Sequence, residues 1–327
     1  MKKILVTGAT GFIGKSICQN LLKSGRSFSG SVRSINLDPS DINTNYISVG
    51  DIGPNTEWKV ALEGVECIIH CAGRAHVMKE TKTNELKIYR SVNVEGTKRL
   101  AEQAAKAGVK RLVFLSSIKV NGEVTGKKQI NTVQNNIKNK YNFQHTDTPN
   151  PKNSYAISKL ETEKMLFDLS AKINLEVVVV RLPLVYGKGV KGNLARLIKL
   201  IKSNTLLPLS SINNQRSMIG IDNLVDLLIR CSDHPNASGK TFLVSDGDDL
   251  STPDLINYIA SSMGKRVNLF PFPLFLLKFI GSIIGKREEI NRLVDSLKID
   301  NNYTKETLNW KPIISVEEGI KRMVDDI

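Results

Sequence analysis

The chain opens with MKKILVTGATGFIG, residues 1–14. Ile4, Leu5 and Val6 form a short apolar run, and Gly8, Gly11 and Gly14 follow at once. From Phe12 to Lys23 the residues Phe12, Ile13, Ile17, Leu21 and Leu22 recur at helical spacing. The stretch predicts a strand, a tight glycine turn and a helix. One glycine lets the chain leave the strand at dihedrals that other residues resist. A second lets the backbone approach a pyrophosphate, and a third lets the helix pack on the strand. The helix N-terminus then offers unpaired N–H groups and a partial positive charge to the anion. The spacing is Gly-x-x-Gly-x-x-Gly, and its place between strand and amphipathic helix reads as a dinucleotide site rather than a plain turn.

Outward from this unit, strand-like and helix-like segments alternate. Ser27 to Arg33, Tyr46 to Val49, Glu66 to Cys71, Arg111 to Ser116 and Leu175 to Arg181 read as strands. Leu86 to Ala107 reads as one long helix stopped by Gly108, and Ser154 to Ala171 as another. Repeated βα units imply an α/β fold: a doubly wound parallel sheet of the Rossmann type, helices on both faces. Asn121 to Asn150 breaks the pattern, is rich in Asn, Gln, Lys and Thr, and reads as a flap near the site or a surface insertion. From Pro183 the texture changes to short, irregular elements, with helices expected at Asn193 to Lys202, Asp222 to Cys231 and Thr252 to Met263. Ser315 with Glu318 predicts a capping box for a final helix. The expected division is a dinucleotide-binding domain, mainly 1–182, and a smaller mixed α/β substrate-binding lobe, mainly 183–327.

At 327 residues, 41% hydrophobic and 24% charged, the chain has the composition of a globular protein with a large core. Met1 leads straight into a strand, so no signal peptide is expected. The four cysteines are scattered, as in a reducing cytoplasm. Cys67, His70 and Cys71 suggest metal ligands at first sight, but they fall in a buried strand with no second ligand pair, so no metal is expected. The net charge of +14 is spread rather than massed, without interleaved aromatics, so no nucleic-acid partner is expected. A solvated basic surface is the default reading of that charge, with an anionic substrate or an acidic membrane surface as the functional ones. The longest apolar-rich stretch, Leu269 to Ile284, is interrupted by Lys278 and two prolines and is too short to span a bilayer; most of it falls in the segment 270–286, FPFPLFLLKFIGSIIGK. It reads either as a cap on the substrate lobe or as an amphipathic helix in peripheral contact with the inner membrane.

Tyr155 and Lys159 stand at i and i+4 in a helical segment and share one face. A free tyrosine, with a pKa of about 10, is a poor base at neutral pH. A neighbouring ammonium favours the phenolate, and an oxidised nicotinamide would help it. Ser117, at the end of the preceding strand, can hold a substrate oxygen against the tyrosine. The order of glycine turn, strand ending in Ser-Ser and Tyr-x-x-x-Lys resembles the extended short-chain dehydrogenase/reductases, the NAD-dependent epimerase/dehydratase family. The resemblance extends through G-D-I at 50–52, H-C-A-G at 70–73, N-V-E-G-T at 93–97, S-S-I-K-V-N-G at 116–122 and R-L-P-L-V-Y-G at 181–187.

That resemblance implies roles. Gly8, Gly11, Gly14, Phe12 and Ile13 would hold the pyrophosphate, with Thr10 and Ser116 among the cofactor contacts. Asp51 and Ile52 would flank adenine, Ala72 and Gly73 would line the cleft, and Asn93 would sit near the active-site helix. Ser117, Tyr155 and Lys159 would be catalytic, with Tyr155 and Lys159 also on the cofactor. His76, Ser117, Asn193, Leu194 and Arg216 would meet a UDP-sugar. Two departures stand out. Ser31-Val32-Arg33 lacks the acid usual after the second strand, which tilts the choice between NADP and NAD toward NADP, with Arg33 on a 2′-phosphate. Val120-Asn121-Gly122 replaces the usual V-Y-G. The implied activity is redox chemistry at C4 of a UDP-hexose in surface-polysaccharide synthesis, as a 4-epimerase or a 4-ketosugar reductase, by a cytoplasmic homodimer. The rivals are a 4-epimerase of polyprenyl-linked sugars and a non-catalytic dinucleotide sensor.

Overall fold

The computed structural model describes residues 2–34, 45–75, 82–126 and 142–325. His76 and residues 127–141, the middle of the expected flap, lie outside them. The strands of the central sheet are β1 (Lys3–Thr7), β2 (Phe28–Val32), β3 (Tyr46–Ser48), β4 (Val65–His70), β5 (Arg111–Ser117), β6 (Glu176–Leu182) and β9 (Lys240–Leu243). They pair in the order β3-β2-β1-β4-β5-β6-β9, all parallel. β7 (Leu184–Tyr186) and β8 (Met218–Gly220) form a separate parallel pair. The sheet order reverses between β1 and β4, and the cleft at their C-terminal ends is where such folds bind ligands.

The helices are α1 (Phe12–Lys23), α2 (Lys82–Tyr89), α3 (Gly96–Lys106), α4 (Ser154–Ser170), α5 (Asn193–Lys202), α6 (Ile221–Asp233), α7 (Thr252–Ser262), α8 (Leu274–Ile283), α9 (Arg287–Val294), α10 (Asn302–Leu308) and α11 (Val316–Val324). Alternation along the strands sends Ile4, Val6, Cys67 and Ile69 into a core with α1 and α6 on one face of the sheet. Leu5, Ile68, Leu112 and Phe114 enter a second core with α3 and α4 on the other. A third core joins α5, α7 and α11 with Leu277 of α8. β9 and α6, though late in sequence, return to the sheet.

Two expectations are corrected. The single helix expected over Leu86 to Ala107 is divided by a π-helical turn, Arg90–Glu95. The turn belongs to long-range bonding at Asn93: its backbone carbonyl accepts from Thr162 at 3.1 Å, and its buried carboxamide bonds the backbone of Arg74. The expected capping box at Ser315 is half made. Ser315 accepts from the Glu318 N–H, but the Glu318 carboxylate binds Arg322 at 2.7 Å. The reciprocal box forms instead at Ser251 and Asp254, ahead of α7.

Candidate active site

The glycine turn is built as the motif requires. Gly8 has φ +66°, and a Cβ there would press on Ala72 at 3.0–3.3 Å. The Gly11 N–H closes the turn on the Gly8 carbonyl at 2.9 Å. Gly11 caps α1 without a side-chain bond, and the first turn carries no acid, so its amides are left for an anion. Thr10 and Gly11 are exposed at the tip; Phe12 and Ile13 pack on the sheet core. At Gly14 a Cβ would overlap the Gly8 carbonyl, so only glycine lets the helix come this close. The bare cradle and uncapped helix end fit a dinucleotide pyrophosphate. Gly14→Ala should weaken dinucleotide affinity about 10- to 100-fold, measured by calorimetric titration, because overpacking typically costs 1–3 kcal/mol.

At the far end of this cleft, Arg33 Nε meets Asp51 Oδ1 at 2.8 Å, both side chains more than 80% exposed (82% and 85%). The sequence reading gave Arg33 a 2′-phosphate and Asp51 the adenine; the fold joins them to each other. Arg33 thus has an exposed carboxylate partner, and the pair sets at the end of β2 a negative charge that the second strand's own sequence lacks. Ile52 packs where a Cβ on Gly96 would sit, 2.6 Å from its Cγ2. His70 spends both ring nitrogens on threonines, Nδ1 on Thr7 at 2.7 Å and Nε2 on Thr97 at 3.0 Å. Burial lowers its pKa to about 3, so it stays neutral as a structural link between β1, β4 and α3.

Tyr155, Lys159 and Ser117 come together at the C-terminal end of β5. Asn153 caps α4, accepting from the Ala156 N–H at 2.9 Å, and so fixes the phase of the helix. Ser117 stands close enough to the Tyr155 phenol to pull its pKa down, and its Oγ accepts from the Lys119 N–H at 3.3 Å. Lys159 is buried; its Nζ donates to the Leu115 carbonyl at 2.8 Å and lies 4.5 Å from the Phe114 ring centroid and 6.0 Å from that of Tyr155. A Cβ on Gly73 would stand 3.5 Å from Lys159 Nζ and 3.1 Å from Asn93 Oδ1. Asn93 Nδ2 donates to Ser158 Oγ at 3.0 Å, tying the π-helical turn to α4.

The electrostatics depart from the simple Tyr–Lys picture. Burial pushes the Tyr155 phenol up to about 12, the nearby Tyr89 adds to this, and Ser117 pulls it back. Burial lowers Lys159 to about 8, opposed by Glu163 and Cys71. Burial governs the phenol, and Lys159 is not among the influences that lower it, so a further positive charge is needed to make it a base.

Behind Lys159 lies a buried ion pair that sequence reading missed. Glu163 follows Lys159 by four residues on α4 and is 2% exposed. Arg181 of β6 donates to it from Nε at 3.1 and 3.3 Å and from Nη2 at 2.6 Å, and Ser116 donates its hydroxyl as well. Arg181 Nη1 reaches Asn121 Oδ1 at 2.9 Å, and Asn121 Nδ2 donates to the Gln144 carbonyl at 3.1 Å. Asn121, the departure from V-Y-G, thus fastens the turn after Ser117 to the ion pair. The sequence signal was the i, i+4, i+8 line of Tyr155, Lys159 and Glu163.

Across the cleft, Arg216 Nη1 donates to the Asp295 carbonyl at 2.9 Å. Its pKa is lowered by burial, and Arg292 adds to this. Lys119 is lowered by burial and then by Arg292, opposed by Glu123 and Glu288, with Arg216 a smaller influence. The three cations lie within electrostatic reach of one another, with Glu288 on Arg292 at 3.1 Å. Lys119 and Arg292 were not foreseen; they come from β5's exit and from α9. Asn193 is exposed at the start of α5, which has no side-chain cap. The Leu194 side chain is buried in the third core, so only its backbone remains for a ligand.

The NAD dependent epimerase/dehydratase family matches residues 4–245. The chain belongs to that family. A relative from Vibrio cholerae, a UDP-glucose 4-epimerase, is 40% identical over 98% of this chain and 94% of its own. A more distant one, from Escherichia coli O157:H7, is 22% identical over 88% of this chain and 82% of its own; it is an N-acetyl-α-D-glucosaminyl-diphospho-ditrans,octacis-undecaprenol 4-epimerase. The fold is that of the UDP-glucuronic acid 4-epimerase from Bacillus cereus, solved with UDP-glucuronic acid and NAD, at TM-score 0.75 and 20% identity over 99% of this chain and 98% of that one. As a member of the family, the chain is an enzyme.

Proposed function

We propose that this protein is an NAD-dependent UDP-hexose 4-epimerase of surface-polysaccharide synthesis. The observation that carries this is the meeting of Ser117, Tyr155 and Lys159 beside Gly73, in the cleft that begins at the glycine turn. The 40% identical relative, named a UDP-glucose 4-epimerase, supports the substrate class. Residues 1–182 mainly form the dinucleotide-binding half and 183–327 mainly the sugar-nucleotide lobe. NAD would lie across Gly8, Thr10, Gly11, Phe12, Ile13 and Gly14, with Arg33, Asp51 and Ile52 at its adenine end and Ala72, Gly73, Asn93, Ser116, Tyr155 and Lys159 toward its reactive end.

When bound, NAD supplies reversible hydride acceptance at C4. Tyr155 would remove the proton of the 4-hydroxyl as hydride leaves C4, and return it to the same oxygen once hydride has come back to the other face of the 4-ketone. Ser117 holds that oxygen against the phenol. Lys159, protonated, stabilises the phenolate and binds the nicotinamide ribose. Lys119 and Arg216 would neutralise the diphosphate, with Asn193 and the Leu194 N–H at the open start of α5. His76 is assigned to the sugar on the resemblance alone. A cytoplasmic homodimer completes the proposal.

The deciding experiment incubates a panel of UDP-hexoses with the protein and each dinucleotide. The expected result is C4 interconversion without net cofactor turnover and with NAD preferred. One NADPH consumed per sugar would make it a reductase instead. Dinucleotide binding without any sugar conversion would make it a sensor. A second reading, action on lipid-linked sugar diphosphates, is favoured by the exposed apolar face of α8.

A further inference from the structure

α8 buries one stripe and leaves the rest bare. Leu277 and Gly281 face the protein, and Gly281 lets Ile290 of α9 approach to where a Cβ would be 2.6 Å away. Outward stand Phe275, Phe279 and Ile283 at i, i+4 and i+8, 71%, 62% and 70% exposed, flanked by Leu276, Ile280 and Ile284. These six are nearly half of the large apolar residues exposed among the described ones, so they form a patch rather than scatter. α8 has 10 residues, and no described helix is long and apolar enough to cross a membrane. The face is therefore suited to lie in an interface.

Charge selects the occupant. Lys286 and Arg287 follow the patch directly, exposed and without an ion pair among the described residues; Asp295 is held by Lys278 at 3.3 Å and Glu288 by Arg292 at 3.1 Å, which leaves Glu289 alone against the two cations and the rim net positive. A groove of about 350 Å³ between α8 and α9 places Lys278 and Arg287 beside Phe275 and Phe279. Cations at the rim of an apolar face match the phosphates and acyl boundary of an anionic bilayer. A second copy of this chain is disfavoured: a twofold contact would bring the same basic ends together between molecules of net charge +14.

The geometry points to α8 and the start of α9 as a peripheral docking surface for an anionic lipid bilayer. The surface stands whether the sugar substrate is soluble or lipid-linked. The test floats the full-length protein with vesicles of phosphatidylcholine, with or without phosphatidylglycerol. The wild type should float with the anionic vesicles only, and added salt should release it. Phe279→Glu with Ile283→Glu, and separately Lys286→Glu with Arg287→Glu, should each reduce the floated fraction at least about tenfold. Melting temperature and turnover of a soluble UDP-hexose should be unchanged, which separates this result from failure of the catalytic proposal. Equal flotation of either double variant overturns the inference, as does equal flotation with neutral vesicles. So does a concentration-dependent dimer that the apolar-face variant abolishes, since a second copy would then cover the patch.

Discussion

Tyr155→Phe should lower the rate of C4 interconversion by about 10³-fold while leaving the affinities for dinucleotide and UDP-hexose within a few-fold of wild type. The substitution deletes one oxygen. The ring keeps its edge contact with Tyr89 at 5.9 Å, and the α4 cap at Asn153 is untouched, so packing persists. What is lost is the phenol oxygen near Ser117, to which the proposed mechanism assigns the substrate proton. Ser117 cannot replace it: a serine hydroxyl needs an adjacent base to act, and the hydrogen bond its Oγ makes among the described residues is with a donor, the Lys119 N–H at 3.3 Å. Single-turnover kinetics with bound dinucleotide would read the loss in the chemical step. Retention of wild-type turnover would remove the phenol from the mechanism.

The parts of this site that rest on local chemistry were legible in the sequence. The glycine turn, α1 from Phe12 to Lys23 and the capped α4 follow from residues within one or two turns of each other. The parts made by the fold were not. Arg33 and Asp51 each had a plausible ligand alone, and only the pairing of β2 with β3 brings them together. The π-helical turn at Arg90–Glu95 depends on Arg74, Ser158 and Thr162, distant in sequence. The phenol's upward shift depends on burial, which spacing does not report. Asn121 looked like a lost aromatic contact; its partner Arg181 lies sixty residues away, on β6.

The Glu163–Arg181 pair offers the sharpest separation of stability from chemistry. Both side chains are almost fully buried, at 3% and 6% exposure. Glu163→Gln leaves the Arg181 charge without its partner and should cost about 3–5 kcal/mol, read as a fall in denaturant midpoint. Replacing both, as Glu163→Leu with Arg181→Met, should recover much of that loss, because the desolvation cost of each charge disappears as well. The pH dependence should not recover. Lys159 titrates near 8, below the ordinary lysine value, and Glu163 is the first influence holding it that high. Turnover should therefore decline as pH rises through about 8 in the wild type, when the cation that favours the phenolate is lost. In Glu163→Gln the decline should move to lower pH, since a negative charge near Lys159 is gone and the positive charge of Arg181 remains. A decline at the same pH in all of these variants would show that Glu163 holds the structure without setting the charge on Lys159.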